Sequence, residues 1–203
     1  MGPGCSIFLR YAPTAAQLNL INSTIDAISS SRNGDDFWVN TTKPINGTID
    51  MKDGAPFIVT FTDEKIEDYN FDEKELKQIK SSIGYRPTYS ISFGAICNSD
   101  KDHRILGELS LYIAKTLAGH INFGGAIFSL EDLPWRKRNI LWIMEKANWG
   151  DIEPYVDKSM KNKPGQIHTI LYKTSTRRTW AYHLCDSEFL EYWLTCPNFH
   201  MIK

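Results

Sequence analysis

Apolar residues recur at three- and four-residue steps in several stretches of the chain and in short unbroken runs in others. These two periods predict helices alternating with strands. Cys5 to Tyr11 reads as a first strand, stopped by Pro13. Thr14 is placed to cap a helix running to about Ser29, with Leu18, Ile21, Ile25 and Ile28 on one stripe. SSSRNGDD reads as a loop, Phe37 to Asn40 as a short strand, and TTKPINGTIDMKDGAP as irregular, turn-rich chain. Pro56 to Thr62 is a strand. Asp72 opens a helix carrying Leu76, Ile79 and Ile83 and ended by Gly84, and Thr88 to Cys97 is a further strand. The first half therefore runs β-α-β-β-α-β, the split βαβ order of ferredoxin-like α+β folds.

The second half begins with a strongly patterned helix after Ser99 or Asp100. Leu106, Leu109, Ile113 and Leu117 lie on one face, and Arg104, Glu108 and Lys115 lie opposite. Arg104 and Glu108 are spaced as an i,i+4 surface ion pair. Gly119 ends the helix and His120 to Leu130 reads as a strand, with Gly124 and Gly125 marking a bulge or a close backbone approach. QIHTILYKT and TWAYHLC form a hairpin, DSEFLEYWLTC is a helix capped by Asp186 or Ser187, and FHMI can add an edge strand. The expectation is one α+β domain over residues 1–203. Its two pseudo-repeated halves, about 1–97 and 98–203, share or pack antiparallel sheets, and a helical insertion occupies 131–163.

That insertion holds Trp135, Trp142 and Trp149, three of the six tryptophans, at a spacing of seven. A helix from Pro134 to about Ala147 puts them roughly on one face. They are either packed inward or an exposed docking surface with Arg136 and Arg138 beside them, since Trp and Arg are enriched at binding hot spots. The tail YVDKSMKNKPG reads as polar and mobile. A second candidate surface is Asp63 to Glu75, where Asp63, Glu64, Glu67 and Asp68 lead a run of seven acids against Lys65 and Lys74. It is either a solvated loop and helix start or a patch for a basic partner.

Composition narrows the classes. With 203 residues, 42% apolar and 23% charged, the chain can bury its own core. A net charge of −1 supplies no field for nucleic acid or anionic lipid. No run approaches the ~20 apolar residues of a membrane span, and MGPGCSIFLRYAP lacks the features of a secretory signal. The four cysteines include no CxxC pair and, with five scattered histidines, give no metal spacing; they read as reduced thiols of a cytoplasmic protein. No nucleotide loop, nucleophile elbow or zinc-protease motif occurs, so no catalytic residue, metal or cofactor is assigned. The strongest enzymatic alternative is the helix start with Asn98, Asp102, His103 and Arg104. A homo-oligomeric scaffold is the third reading.

Three segments carry a resemblance: the start at Gly2-Pro3, the stretch CNSDKDHRILGELSLYIAKTLAGHINFGGAI from Cys97, and the ending YHLCDSEFLEYWLTCPNFHMIK. Together they resemble a bacterial family of unknown function with a CN…DHR…LGELAL helix, a DFGGAL strand and a terminal FL..WL..P.F.M.K pattern. Asn122 stands where that pattern has Asp, and the insertion is longer. The resemblance implies no catalytic residue. Such families are similar to immunity proteins of polymorphic toxin systems, which implies a cognate toxin domain as partner and neutralisation by binding.

Overall fold

The computed structural model describes residues 2–62, 71–128, 133, 143, 146–160 and 163–202, with backbone only over 157–160. Of the predicted helix over 134–147, only Ile143, Lys146 and Ala147 are among them, and Ile143 is helical. Strands β1 (Gly4–Leu9), β2 (Ser29–Asn33), β3 (Asp36–Thr41), β4 (Asp50–Thr62), β5 (Tyr89–Ala95), β6 (His120–Asn122), β7 (Ile167–Lys173) and β8 (Thr179–Cys185) form one sheet. Its order is β2-β3-β4-β5-β1-β6-β8-β7, and every pair is antiparallel. The helices are α1 (Ala15–Ile28), α2 (Glu73–Ile83), α3 (Asp100–Leu117), α4 (Trp149–Met160) and α5 (Ser187–Leu194). The protein is thus α+β. Strands from both halves meet in the centre of the sheet, where β1 lies between β5 and β6. This layout is compatible with two ferredoxin-like halves.

Strand alternation divides the sheet into two faces. On one face Ile7, Leu9, Val39, Phe57, Val59, Ile91 and Phe93 pack against Ile21 and Ile25 of α1, Leu106 and Leu109 of α3, and Phe189 and Leu190 of α5. On the other face α2 lays Leu76, Ile79 and Ile83 on Phe8, Ile170, Tyr182 and Leu184. Caps fix the helix starts. Thr14 and Gln17 form a capping box on α1, Ser99 and Asp102 form one on α3, and Asp72 and Asp186 accept the N–H of Glu75 and Phe189.

Several sequence expectations are corrected. Part of SSSRNGDD is β2, an edge strand closed onto β3 by a turn at Gly34 (φ 62°). Asp50 to Ala55 joins β4 instead of being irregular. The strand from His120 stops at Asn122, because the Asn122 side chain accepts the Gly124 N–H at 2.9 Å and Gly124 takes φ 68°. Tyr155 to Met160 belongs to α4 and is no loose tail. The FHMI ending adds no strand; beside it the Gly4 N–H of β1 donates to the Ile202 carbonyl at 3.3 Å.

The β7 edge of the sheet carries a plug. Gln78 of α2 donates from Nε2 to the Leu171 carbonyl and accepts the Leu171 N–H at Oε1, both at 3.0 Å. A side-chain amide thus makes the two bonds a neighbouring strand would make.

Candidate functional site

The polar residues of the α3 start form the one cluster that the sequence raised for chemistry and that the structure describes. Asp102, His103 and Arg104 each have an internal partner. Asp102 is buried and closes the cap, accepting the Ser99 N–H at 2.6 Å. His103 Nδ1 accepts the Met201 N–H at 3.0 Å, which fixes the ring proton on Nε2. Burial, and then His200 nearby, hold His103 below its ordinary pKa, while Asp100 and Asp102 pull the other way. Arg104 donates from Nη1 to the Leu194 carbonyl at 2.6 Å, at the end of α5, and its guanidinium lies 5.4 Å over the Phe199 ring. Asn98 is exposed and stands apart from these bonds.

Glu108, one turn further on, is where sequence reasoning went furthest astray. It is 8% exposed, not part of a solvated face. Its Oε1 accepts the Thr48 N–H at 3.0 Å and the Thr48 hydroxyl at 2.7 Å; its Oε2 accepts the Thr42 hydroxyl at 2.5 Å. Arg104 Nε stands 3.9 Å away, so the pair is a weak partner beside three charge-assisted hydrogen bonds. The loop from Thr42 to Ile49 is shaped for this. Thr42 accepts the N–H of Gly47 at 2.8 Å, Asn46 takes φ 60°, and a Cβ on Gly47 would lie 2.3 Å from Glu108 Oε2. A cleft of about 640 Å³ opens beside this tie, lined by Asn46, Thr48, Arg104, Glu108, Tyr112 and Lys115 among others. Lys115 is bonded to Glu191 at 2.7 Å. The arrangement holds a loop and a tail; no side chain in it is poised as an unengaged acid or base next to a nucleophile.

The DHR and FHM motifs are thus two sides of one contact. Gly107 completes it: a Cβ there would sit 2.6 Å from Phe199 Cζ and 3.0 Å from Leu194 Cδ2. Gly107→Val is therefore expected to lower the unfolding free energy by about 1–3 kcal/mol through overpacking. A urea titration showing a fallen midpoint at unchanged slope checks this, and an unchanged midpoint would show that the tail yields freely.

Of the predicted partner-contact residues, Asp63, Glu64, Glu67, Asp68, Trp135, Arg136, Arg138 and Trp142 lie outside the described residues. Trp149 is described, and it is buried at 2% exposure. It packs edge-on to Trp180 and His183 at 6.1 and 5.8 Å, in a cluster with Ile152, Val156 and Ala181. It occupies the inward-packed position of the two the sequence allowed. The remaining acids of the second candidate surface sit at the start of α2: Asp72 as its cap, Glu73 in its first turn, and Glu75 buried. Burial raises the Glu75 pKa.

Sequence reasoning missed His183. It is buried in β8, and its Nδ1 accepts the Ile127 N–H at 2.9 Å, which pins the chain that leaves β6. Burial lowers its pKa to about 4. All four cysteines are free thiols, with Cys5 and Cys185 buried and Cys97 exposed. Among the described residues no group of three or more His, Cys, Asp or Glu is placed to hold a metal ion, and no helix is long and apolar enough to cross a membrane.

Comparison with known proteins places the chain in one group. No curated protein and no solved structure matches it. A protein-family model matches residues 1–203, so the whole chain belongs to the family of unknown function DUF6368.

Proposed function

We propose that the chain is a binding protein and, in its specific form, a cytoplasmic immunity protein that neutralises a cognate bacterial toxin domain by occluding it. One observation carries this reading. Of the polar groups that offered the best case for catalysis, Asp102, His103 and Arg104 are each engaged in holding the chain's own segments, as is Glu108 one turn on, while Asn98 is exposed and apart from them. Their removal from the list of reactive groups leaves recognition as the activity the fold supports best. Such binding needs no cofactor, and a standard interface would bury ~1,600 Å² in total.

The test is co-expression of the tagged protein with the product of the adjacent upstream reading frame. A stoichiometric complex, with the neighbour toxic when expressed alone, is the expected outcome. The same purification with Trp142→Ala and with Glu67→Lys tests the two contact surfaces expected from the sequence. Each substitution at a true contact should release the partner while the melting transition is kept. Absence of both complex and toxicity would overturn the proposal.

A further inference from the structure

Among the described residues, the sheet face opposite α1 and α3 is covered by α2 at only one end. Cross-strand register lays out what remains. One row reads Ser31, Trp38 and Pro56, and Ile96, just past β5, extends it by donating its N–H to the Pro56 carbonyl at 3.0 Å. The next reads Asn33, Asp36, Ile58, Gly94 and Gly4. The third reads Thr60, Ser92, Ser6 and Asn122. Trp38, Ile58 and Ile96 are 40%, 42% and 52% exposed, and no described element lies over them. Three large apolar side chains on adjoining strands form a patch, unlike the single scattered ones that every surface carries.

We propose that two copies of this chain pair through this face. Two properties of the rows single out a second copy as the occupant. The first is charge. Asp36 is the one ionisable side chain in the three rows, and a face that meets itself across a two-fold axis has to avoid placing like charges together. A foreign partner selected by charge would find only Asp36 in these rows. The second is shape. The large side chains Trp38 and Ile58 stand on β3 and β4. In the second and third rows the adjoining β5 and β1 present Gly94, Ser92, Gly4 and Ser6, with the two serine hydroxyls 2.8 Å apart and Ile96 standing at one end. The face is therefore a ridge beside a trough. A two-fold axis through it seats the ridge of each copy in the trough of the other, at the ~10 Å spacing of face-to-face sheets. This pairing is independent of the toxin-binding proposal and uses none of the same residues.

Light scattering on the purified full chain tests it. The wild type is expected at twice 23.3 kDa over a wide concentration range. Trp38→Glu on the ridge and Ser6→Lys in the trough should each shift the mass to that of a single chain, with an unchanged circular dichroism spectrum. Mixing the two variants should restore the doubled mass, because one ridge carboxylate then meets one trough ammonium while the other ridge and trough are native. Should Trp38→Glu fail to fold, Ile58→Glu replaces it on the ridge. A wild type that is a single chain throughout overturns the proposal. So does a doubled mass that survives both substitutions, or a mixture of variants that stays at single mass.

Discussion

Glu108→Ala is expected to cost about 3 kcal/mol of unfolding free energy, among the largest single-residue effects available in this protein. Removing one side of a buried charged network costs about 3–5 kcal/mol, because the partner groups stay behind desolvated. Here the abandoned donors are the Thr42 hydroxyl, which is buried, and the N–H and hydroxyl of Thr48, which is exposed. Thr48 can turn to water, and that places the expected loss at the lower end. Glu108→Gln keeps an acceptor for Thr48 and should lose roughly 1 kcal/mol, the worth of an ordinary hydrogen bond against a charged one. Urea unfolding of the three proteins decides the matter. A Glu108→Ala variant within about 0.5 kcal/mol of wild type, the range of a neutral surface change, would mean that the loop is not held by this carboxylate.

The second large effect is acid lability through His183. Its folded pKa of about 4 lies below the ordinary 6.5, so between these values the unfolded chain binds a proton that the folded one refuses. The stability it contributes is complete above pH 6.5 and drains away as pH falls toward 4, by about 3 kcal/mol in total. The geometry supplies the cause. Nδ1 accepts an amide proton from Ile127, and a second ring proton would set donor against donor inside the core. His103, His120 and His168 are lowered by burial too and add loss of the same sign just below pH 6.5. Glu75, raised by burial, works the other way: its contribution is present at low pH and lost as pH rises through its folded value. His183→Asn separates these terms, since the amide oxygen can still accept from Ile127 and does not titrate. That variant should show a clearly flatter fall in stability between pH 6.5 and 4.5. An equally steep fall would assign the acid lability to other groups.

How much of this was legible in the chain depends on the distance over which each residue finds its partners. Local periodicity placed α1, α2, α3, β1, β5 and the β7–β8 hairpin, because caps such as Thr14, Asp72 and Asp186 and stripes such as Ile21-Ile25-Ile28 are satisfied within a few residues. The edge strand β2 escaped because SSSRN offers no apolar alternation; it is recruited by pairing with β3. Glu108 escaped for a different reason. Its donors at Thr48 are 60 residues away in sequence, and nothing near it marks it as buried except Gly107, whose missing side chain admits Phe199. The motif residues Asp102, His103 and Arg104 looked chemical because of their types. What they do is structural, and that became visible only when the chain's own end was seen lying against them.

The amide plug at Leu171 has a consequence for how this protein can fail. Endless polymerisation by strand addition needs two open edges on each molecule, one to give and one to receive. Of the two outermost described strands, β7 has the middle of its rim occupied by Gln78, while no described strand pairs with the outer rim of β2. Contacts of that kind are therefore restricted to β2 meeting β2, which closes on itself after a single step. A fibre would first have to prise one glutamine from its seat.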